Sequence, residues 1–145
     1  MKDWQSQAHV KWECLYHVVI VPKYRRKVFF GKRRKEIGEM LRRLCRQKGI
    51  GLVEGNAMSD HIHMVLSIPP KYSVAMTLGY LKGKSAVHIL RNLTKTKGTL
   101  FGRKFWARGY CVSTVGLDEQ RIRAYVREQE HLDKQTEQDE LDLDV

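Results

Sequence analysis

Long apolar runs are missing from this sequence. No stretch approaches the roughly 18 apolar residues of a membrane-spanning helix, and the N-terminal segment MKDWQSQAHVKW lacks the apolar run of a signal peptide. These two absences argue against helical membrane spans and against export, and they predict a cytoplasmic protein.

Cysteine is scarce, and the few cysteines do not pair. Cys14, Cys45 and Cys111 are odd in number, far apart and outside any CxxC motif. A disulfide framework needs paired cysteines, and a zinc ribbon needs closely spaced pairs, so neither is indicated. We expect three reduced, partly buried thiols.

The sequence has room for one hydrophobic core but not for two domains of ordinary size, because it is 145 residues long. The formal net charge is +11, yet residues 135–145 contain five acids and no base. A polar segment of this kind cannot bury enough apolar surface to fold alone. We therefore predict one domain over residues 1–133 and an acidic, disordered tail over residues 134–145.

Acidic residues are absent from two long stretches. Residues 61–117 contain no Asp or Glu but nine Lys and Arg residues, and residues 23–35 contain eight bases and no acid. Solvated charge runs usually mix signs, so these blocks favour a polyanionic partner, a nucleic acid above all. A basic surface that serves only solubility is the alternative. An anionic membrane surface is disfavoured because no segment joins a basic face to a strongly apolar one.

Hydrophobic periodicity predicts four strands and three helices. The strands are expected at residues 12–21, 50–58, 61–68 and 105–115, and the helices at residues 32–48, 74–93 and 117–133. Gly49 would end the first helix and Ser73 would cap the second. The order β-α-β-β-α-β-α is that of an α+β, ferredoxin-like sandwich with an antiparallel sheet and one added C-terminal helix. Since this fold carries both RNA-binding modules and enzymes, it does not decide the function.

Two histidines stand two residues apart in the third predicted strand. Side chains at positions i and i+2 of a strand leave the same face, so His61 and His63 are expected to face one way. Two imidazoles on one face can chelate a divalent ion. An isolated His-x-His pair is at least as typical of surface or hydrogen-bonded histidines, so the pair alone leaves the metal site open.

The last predicted helix carries a primary amide on its apolar stripe. Tyr125 and Gln129 lie one turn apart on the stripe that also holds Ile122 and Val126. A tyrosine on such a stripe is usually a core residue. A core stripe rarely has an amide at its centre, whereas an amide oxygen suits a hard ion such as Mg²⁺ or Mn²⁺ as a third ligand. The helix therefore supports a site shared with the histidines.

Five blocks of sequence together resemble the HUH endonucleases, and specifically the small TnpA-type insertion-sequence transposases with a single catalytic tyrosine. The blocks are residues 16–26 (YHVVIVPKYRR), 58–63 (MSDHIH), 79–85 (GYLKGKS), 105–110 (FWARGY) and 125–129 (YVREQ). They cover nearly the whole chain and stand in the family's order. Several blocks in order are far more specific than the histidine pair alone.

The resemblance implies a transposase that cleaves and rejoins single-stranded DNA at insertion-sequence ends through a 5′-phosphotyrosine intermediate. In that family Tyr125 would be the nucleophile, and His61, His63 and Gln129 would bind a divalent metal, Mg²⁺ or Mn²⁺. The resemblance also implies that the protein recognises DNA hairpins at the element ends and is associated with the nucleoid. The acidic tail is not part of the family's pattern.

A homodimer with shared active sites is a further implication of the resemblance. In such a dimer the histidines of one subunit would combine with the tyrosine helix of the other. Gly116 stands just before the last predicted helix, and glycine allows a helix to leave a sheet in unusual directions. We therefore expect that this helix can reach a second subunit.

Three basic residues are candidates for phosphate contacts. Lys82, Lys84 and Arg108 lie in or beside the blocks that resemble the family. Phosphate contacts by Lys and Arg position a protein on nucleic acid without reading its sequence. Ordinary solvated side chains are the alternative explanation for all three.

Two rival functions stay open at the level of sequence. A noncatalytic binder of single-stranded nucleic acid would use sheet aromatics such as Tyr16, Trp106 and Tyr110 as stacking platforms, although core packing explains these residues equally well. A domesticated, repeat-associated tyrosine transposase or a relaxase-like nickase would share the chemistry but not the mobile element.

Overall fold

The central element is a four-stranded antiparallel sheet. The computed structural model describes residues 5–7, 10–12, 14–93, 104–114 and 119–143, with side chains over residues 14–91, 104–114 and 123–138. Its strands are a hairpin of β1 (Gln5–Gln7) and β2 (Val10–Trp12), followed by β3 (Leu15–Ile20), β4 (Gly51–Met58), β5 (His61–Ser67) and β6 (Cys111–Ser113). The central sheet has the order β4-β5-β3-β6, and each of its pairs is antiparallel.

Three helices accompany the sheet. They are α1 (Gly31–Gln47), α2 (Val74–His88), which continues into a π turn (Ile89–Leu93), and α3 (Glu119–Leu143); a 3-10 turn (Lys23–Arg25) lies between β3 and α1. With β3 flanked by β5 and β6, the connections are those of a split βαβ unit. The predicted α+β, ferredoxin-like fold with an added C-terminal helix is confirmed. In the part of the chain that the structure describes, no helix is long and apolar enough to cross a membrane.

The helical periodicity read from the sequence matches the packing. The buried residues of α1 are the five at the predicted spacing: Ile37, Met40, Leu41, Leu44 and Cys45. Gly49 follows α1 with a φ of 69°, a left-handed conformation that costs glycine little. The Ser73 hydroxyl accepts the N–H of Met76 at 3.0 Å, so the predicted cap of α2 is confirmed.

Strand alternation gives the sheet two different faces. We call one the core face: there Val18 lies opposite Met64 and Ile20 opposite Ile62, and these side chains join the large apolar cluster formed with α1 and α2. We call the other the α3 face. There Val19 lies opposite His63, and Val19 belongs to a small apolar cluster with Val126 of α3.

The last strand is shorter than the prediction of residues 105–115. Before β6, the chain pairs with the segment that follows β3: the Lys23 N–H donates to the carbonyl of Phe105, and the Ala107 N–H donates to the carbonyl of Val21, both at 2.8 Å. Gly109 then takes a φ of 78°, which turns the backbone out of the extended conformation. The predicted strand is therefore divided into a short bridged segment and β6.

The C-terminal helix is longer than the sequence suggested. A helix ending at residue 133 and a disordered tail were expected, but α3 continues to Leu143. Its composition there is rich in Glu, Gln and Leu, which are good helix formers, and Lys134 pairs with Glu130 one turn earlier at 3.1 Å. Gly116, the predicted pivot of this helix, lies outside the described residues.

Candidate active site

His61 begins β5 on the α3 face and is held by its sequence neighbour. Its Nδ1 lies 2.9 Å from Oδ1 of Asp60, and both side chains are mostly buried. Because an ionised carboxylate can only accept, Nδ1 is the donor in this contact, and Nε2 is the ring nitrogen left to bind a metal. A carboxylate behind a histidine in this way fixes the ring and raises its basicity as a metal ligand.

His63 lies beside a third histidine. Its Nε2 is 3.4 Å from Nδ1 of His17 on β3, and the two rings stack with centroids 5.5 Å apart and planes 18° apart. Burial lowers the pKa of His63, and the neighbouring His17 lowers it further, so the ring is neutral at neutral pH. No role for His17 was predicted from the sequence. Its position two residues before Val19 on β3 is the signal that places it on the α3 face.

Tyr125 reaches the same face because α3 packs there. Val126, which is 4% exposed, lies in the small apolar cluster with Val19, Val21 and Ala107, and Tyr125 packs against that cluster. The predicted nucleophile and the predicted histidine pair therefore lie on one side of the sheet.

Burial makes the Tyr125 hydroxyl a weak acid. Loss of solvent raises the pKa of Tyr125 well above its ordinary value, and the nearby Cys111, Asp133 and Glu128 raise it further. The resting side chain is thus a neutral phenol at any physiological pH. Any attack by its oxygen must be accompanied by loss of the proton.

Arg25 joins the tyrosine helix to the histidine strand. Its Nε donates to Oδ2 of Asp60 at 3.1 Å, and its Nη1 lies 3.2 Å from Oε2 of Glu130 on α3. Asp60 also contacts His61. The guanidinium of Arg25 therefore links α3, through Asp60, to a histidine predicted to bind the metal. No role for Arg25 or Glu130 was predicted from the sequence.

The backbone of the 3-10 turn that carries Arg25 is strained. Tyr24 and Arg25 have φ values of 62° and 53°, a left-handed conformation that non-glycine residues rarely adopt and that is typical of functional sites. The carboxylate of Asp133 on α3 accepts the N–H of Tyr24 at 2.9 Å. Burial raises the pKa of Asp133, and the Tyr24 N–H opposes that rise. The turn and α3 therefore hold each other in place.

A cleft of about 420 Å³ opens where these elements meet. It is lined by Arg25, Asp60, His61, Arg123, Val126 and Arg127. The 3-10 turn, the start of β5 and α3 thus line one concave site. Gln129 lies on α3 four residues after Tyr125 and is half-buried; it makes no hydrogen bond within the described part of the chain.

The side chains on the α3 face include candidate ligands for a divalent metal. Within residues whose side chains are described, no group of three or more His, Cys, Asp or Glu side chains is arranged to hold a metal ion. The imidazoles of His61 and His63 share one face of the sheet, and Gln129 is half-buried on α3 one turn after Tyr125. Two histidines and one amide fit a divalent ion whose remaining positions are filled by water or phosphate oxygens.

The predicted phosphate contacts have different surroundings. Lys82 is partly buried, and its ammonium donates to the carbonyls of Ala107 at 2.8 Å and Gly109 at 2.7 Å. It thereby ties α2 to the segment before β6. Lys84 and Arg108 are exposed. Phosphate binding by these three residues stays a prediction.

The aromatic residues considered as stacking platforms lie in or against the core. Trp106 is 6% exposed, packs edge-on against Phe105, and donates its indole N–H to Ser85 at 2.9 Å. Tyr16 and Tyr110 are partly buried against the large apolar cluster. Core packing accounts for Trp106 fully and for Tyr16 and Tyr110 in part.

Comparison with known proteins gives the site a context. The model of the family described as "Transposase IS200 like" matches residues 10–129. The chain is similar to the transposase of insertion sequence element IS200 from Salmonella typhimurium, with 45% identity over 138 residues, covering 95% of this chain and 91% of the relative. It is also similar to the ISDra2 transposase TnpA of Deinococcus radiodurans, with 30% identity over 115 residues, 79% of this chain and 82% of the relative.

Solved structures show the same architecture. A crystal structure of a transposase from Deinococcus radiodurans R1 has a TM-score of 0.75 and 26% identity, covering 89% of this chain and 98% of that one. A REP-associated tyrosine transposase bound to a REP hairpin has a TM-score of 0.53 and 9% identity, covering 87% of this chain and 68% of that one. At 9% identity the second likeness concerns the fold alone.

Proposed function

The chain belongs to the family of IS200-like transposases, and we propose that it cleaves and rejoins single-stranded DNA at insertion-sequence ends with Tyr125 as the nucleophile. One observation carries this proposal. Tyr125 and the two histidines lie on the same face of the sheet, because Tyr125 packs against the cluster that contains Val19, and Val19 lies opposite His63.

The chemistry is a phosphoester exchange. The Tyr125 oxygen forms a bond to the phosphorus of one DNA linkage, the bond from phosphorus to the 3′ oxygen breaks, and the 3′ oxygen leaves with a proton. The products are a 5′-phosphotyrosine link and a free 3′-OH. Because one ester replaces another, a 3′-OH can later attack the link and restore continuous DNA without ATP. The raised pKa of Tyr125 requires its proton to leave as the attack proceeds.

We propose that His61, His63 and Gln129 hold a divalent cation, Mg²⁺ or Mn²⁺. The carboxylate of Asp60 orients His61 for this task, and the neutral state of His63 keeps its lone pair available. A bound cation would offset the charge that develops on the phosphate and the leaving oxygen. Arg25 and Asp60 contribute by fixing where the histidine and α3 lie.

The DNA partner is proposed to be a single strand with hairpins near the element ends. The basic block at residues 23–35 and the acid-free stretch at residues 61–117 supply the positive charge that phosphates require. The related REP-associated transposase is a protein with a hairpin bound. Its low identity leaves the hairpin sequence recognised by this chain open.

We further propose a homodimer in which α3 serves the partner's site. In the single chain, α3 packs on the chain's own sheet through Val126 and through the polar contacts of Glu130 and Asp133. A helix from a second subunit could make the same contacts. The apolar part of this docking is small among the described residues, which makes exchange between subunits energetically accessible.

The noncatalytic alternative is weakened by the burial of the sheet aromatics, since the stacking platform it needs is part of the core. A repeat-associated transposase or nickase differs from the main proposal in the DNA it serves rather than in its chemistry. The 45% identity to an insertion-element transposase favours a function in moving an insertion element.

Covalent trapping tests the proposal. Single-stranded element ends, labelled at the 5′ or the 3′ terminus, are incubated with protein and Mg²⁺ or Mn²⁺, and the products are separated on a denaturing gel. We expect a protein-linked species that carries only the 3′ label, because the 5′ phosphate of the downstream fragment is attached to the enzyme. Tyr125→Phe should form none, whereas Tyr80→Phe, which removes a hydroxyl bonded to Gln47 on the opposite side of the sheet, should form it normally. An adduct formed by Tyr125→Phe would refute the assignment.

A further inference from the structure

The chain bulges out of the sheet just before β6. Cys111, the first residue of β6, pairs with Val19 on β3. The N–H of Ala107 donates to the carbonyl of Val21, two residues further along that segment. Residues 108–110 therefore stand opposite one residue only, and we call this segment the bulge. Because backbone groups in a bulge lack partners in the neighbouring strand, the position of the bulge depends on contacts from elsewhere.

Tyr125 packs against the residues that flank the bulge. Ala107, before it, is 2% exposed and belongs to the small apolar cluster on the α3 face. Cys111, after it, packs against the same cluster, as does Tyr125 itself. Gly109 inside the bulge has a φ of 78°, a conformation that residues other than glycine rarely adopt. The position of the tyrosine therefore depends on where the bulge lies.

A lysine side chain from α2 holds the bulge. The ammonium of Lys82 donates to the carbonyl of Ala107 at 2.8 Å and to that of Gly109 at 2.7 Å. Hydrogen bonds from a charged donor are about twice as strong as neutral ones. One turn later on α2, Ser85 accepts the indole N–H of Trp106 at 2.9 Å. The helix α2 thus fixes both the bulge and the chain just before it.

A carboxylate of α3 lies near both Lys82 and the tyrosine. Burial lowers the pKa of Lys82, and the nearby Asp133 opposes that change. Asp133 also adds to the rise in the pKa of Tyr125 that burial causes. Because Coulombic effects fall off with distance, the three groups share one neighbourhood. Lys82 therefore reaches the bulge close to the helix that carries the tyrosine.

We propose that Lys82 is a positioning residue for the cleavage reaction. It fixes the bulge, the bulge supports Tyr125, and the tyrosine oxygen is thereby held where a phosphate can meet it. This role rests on the proposed function, since it takes Tyr125 as the nucleophile. Misplacement of a reacting group by about 1 Å can slow a reaction about 100-fold, so loss of Lys82 should affect the chemical step. A phosphate contact by Lys82 would weaken DNA binding instead.

Cleavage and binding of one labelled element end separate these two roles. Lys82→Met keeps most of the apolar side chain but donates no hydrogen bond to the bulge. We expect its single-turnover cleavage at saturating protein to slow about 10- to 100-fold. The Kd, measured by fluorescence anisotropy with a chelator present, should stay within about twofold of the wild type. Lys82→Arg keeps a charged donor and should recover part of the rate. Lys48→Met removes an exposed lysine at the end of α1 and should change neither quantity.

Cysteine labelling reports on the bulge without DNA. The native protein is treated with iodoacetamide, and the modification of each cysteine is followed by peptide mass spectrometry. Cys111 directly follows the bulge, so its labelling should become about fivefold faster or more in Lys82→Met. Cys14, just before β3, should be labelled at an unchanged rate. Cys45 is buried and reports unfolding of the core. If Lys82→Met exposes Cys45, the polar variant Lys82→Gln takes its place with the same expectation.

Each measurement can overturn the proposal in its own way. If Lys82→Met binds DNA more weakly but cleaves bound DNA at the wild-type rate, Lys82 is a phosphate contact and not a positioning residue. Unchanged labelling of Cys111, whatever the cleavage rate, would show that Lys82 does not hold the bulge. Absence of a tyrosine adduct in the wild type would refute the proposed function, and the labelling of Cys111 would still decide whether Lys82 holds the bulge.

Discussion

The two faces of the sheet are built from different interactions. On the core face, strand residues such as Ile20 and Met64 join 16 other buried side chains in one apolar cluster with α1 and α2. On the α3 face, the described apolar cluster has four buried members, and the remaining contacts are histidines, carboxylates and arginines. Stability scales with apolar area removed from water, so the core face supplies most of it.

Because of this difference, adjacent residues of one strand can contribute separately to stability and to activity. Neighbouring positions on β5 point in opposite directions, so His63 belongs to the α3 face while Met64 belongs to the core face. Substitutions on the core face should therefore lower the free energy of unfolding. Substitutions on the α3 face should lower activity with little change in stability.

The largest expected contrast is between these two neighbours. His63→Ala should slow strand cleavage by on the order of 10³-fold or more, because a proposed metal ligand is lost, while the free energy of unfolding changes by about 1 kcal/mol or less. Met64→Ala should lower that free energy by about 2–5 kcal/mol. Urea unfolding and single-turnover cleavage measure the two effects.

Binding of a DNA hairpin provides the control for the loss of cleavage in the histidine variants. His61→Ala/His63→Ala should bind a hairpin nearly as well as the wild type, because recognition rests on the basic surface and not on the histidines. Cleavage by that double variant at the wild-type rate would remove the metal site from the proposed mechanism.

A partial recovery of activity is expected from mixed subunits. If α3 serves the partner's site, Tyr125→Phe and His61→Ala/His63→Ala proteins, each inactive alone, should regain cleavage after subunit exchange. Random mixing makes half of the dimers mixed, and each has one complete site of two, so about a quarter of the wild-type activity should return. If heterodimers are demonstrated and no activity returns, each site is built within one chain.

The sequence predicted the core face better than the α3 face. Local periodicity predicts the five buried residues of α1, and it predicts that His61 and His63 lie on the same face of β5. Such periodicity depends only on neighbouring residues and not on the rest of the chain. The sheet order follows from the element order, because split βαβ units have few possible topologies.

The polar framework of the α3 face could not be predicted in this way. Tyr24 and Asp133 are 109 positions apart, and Arg25 meets Asp60 only because the 3-10 turn adopts positive φ values. Neither the turn conformation nor the partner is encoded in a nearby pattern. The helical continuation of α3 to Leu143 was missed because acidic composition was interpreted as disorder, although the same residues are good helix formers.

Arg25 should give an intermediate effect. Arg25→Gln leaves the carboxylates of Asp60 and Glu130 without their shared cation and loosens the orientation of His61. We expect cleavage to slow about 10- to 100-fold, as is usual when a group behind a metal ligand is lost. Lys134→Gln is the matched control, since it removes an exposed partner of the same Glu130 and should have almost no effect. Equal effects of the two substitutions would show that Arg25 does not position the site.

The smallest expected effect belongs to a titration on the core face. Cys45 is 1% exposed, and burial raises the pKa of its thiol from 9.0 to about 11. The unfolded chain loses this proton above pH 9 while the folded chain keeps it, so the contribution to stability is complete below pH 9 and is lost as pH rises towards 11. At pH 10 the loss should be about 1.4 kcal/mol. Wild type and Cys45→Ala are compared by urea unfolding at pH 8 and pH 10, so that other titrating groups cancel. The wild type should lose more stability than the variant; an equal loss in both would mean that the thiol ionises in the fold as it does in the unfolded chain.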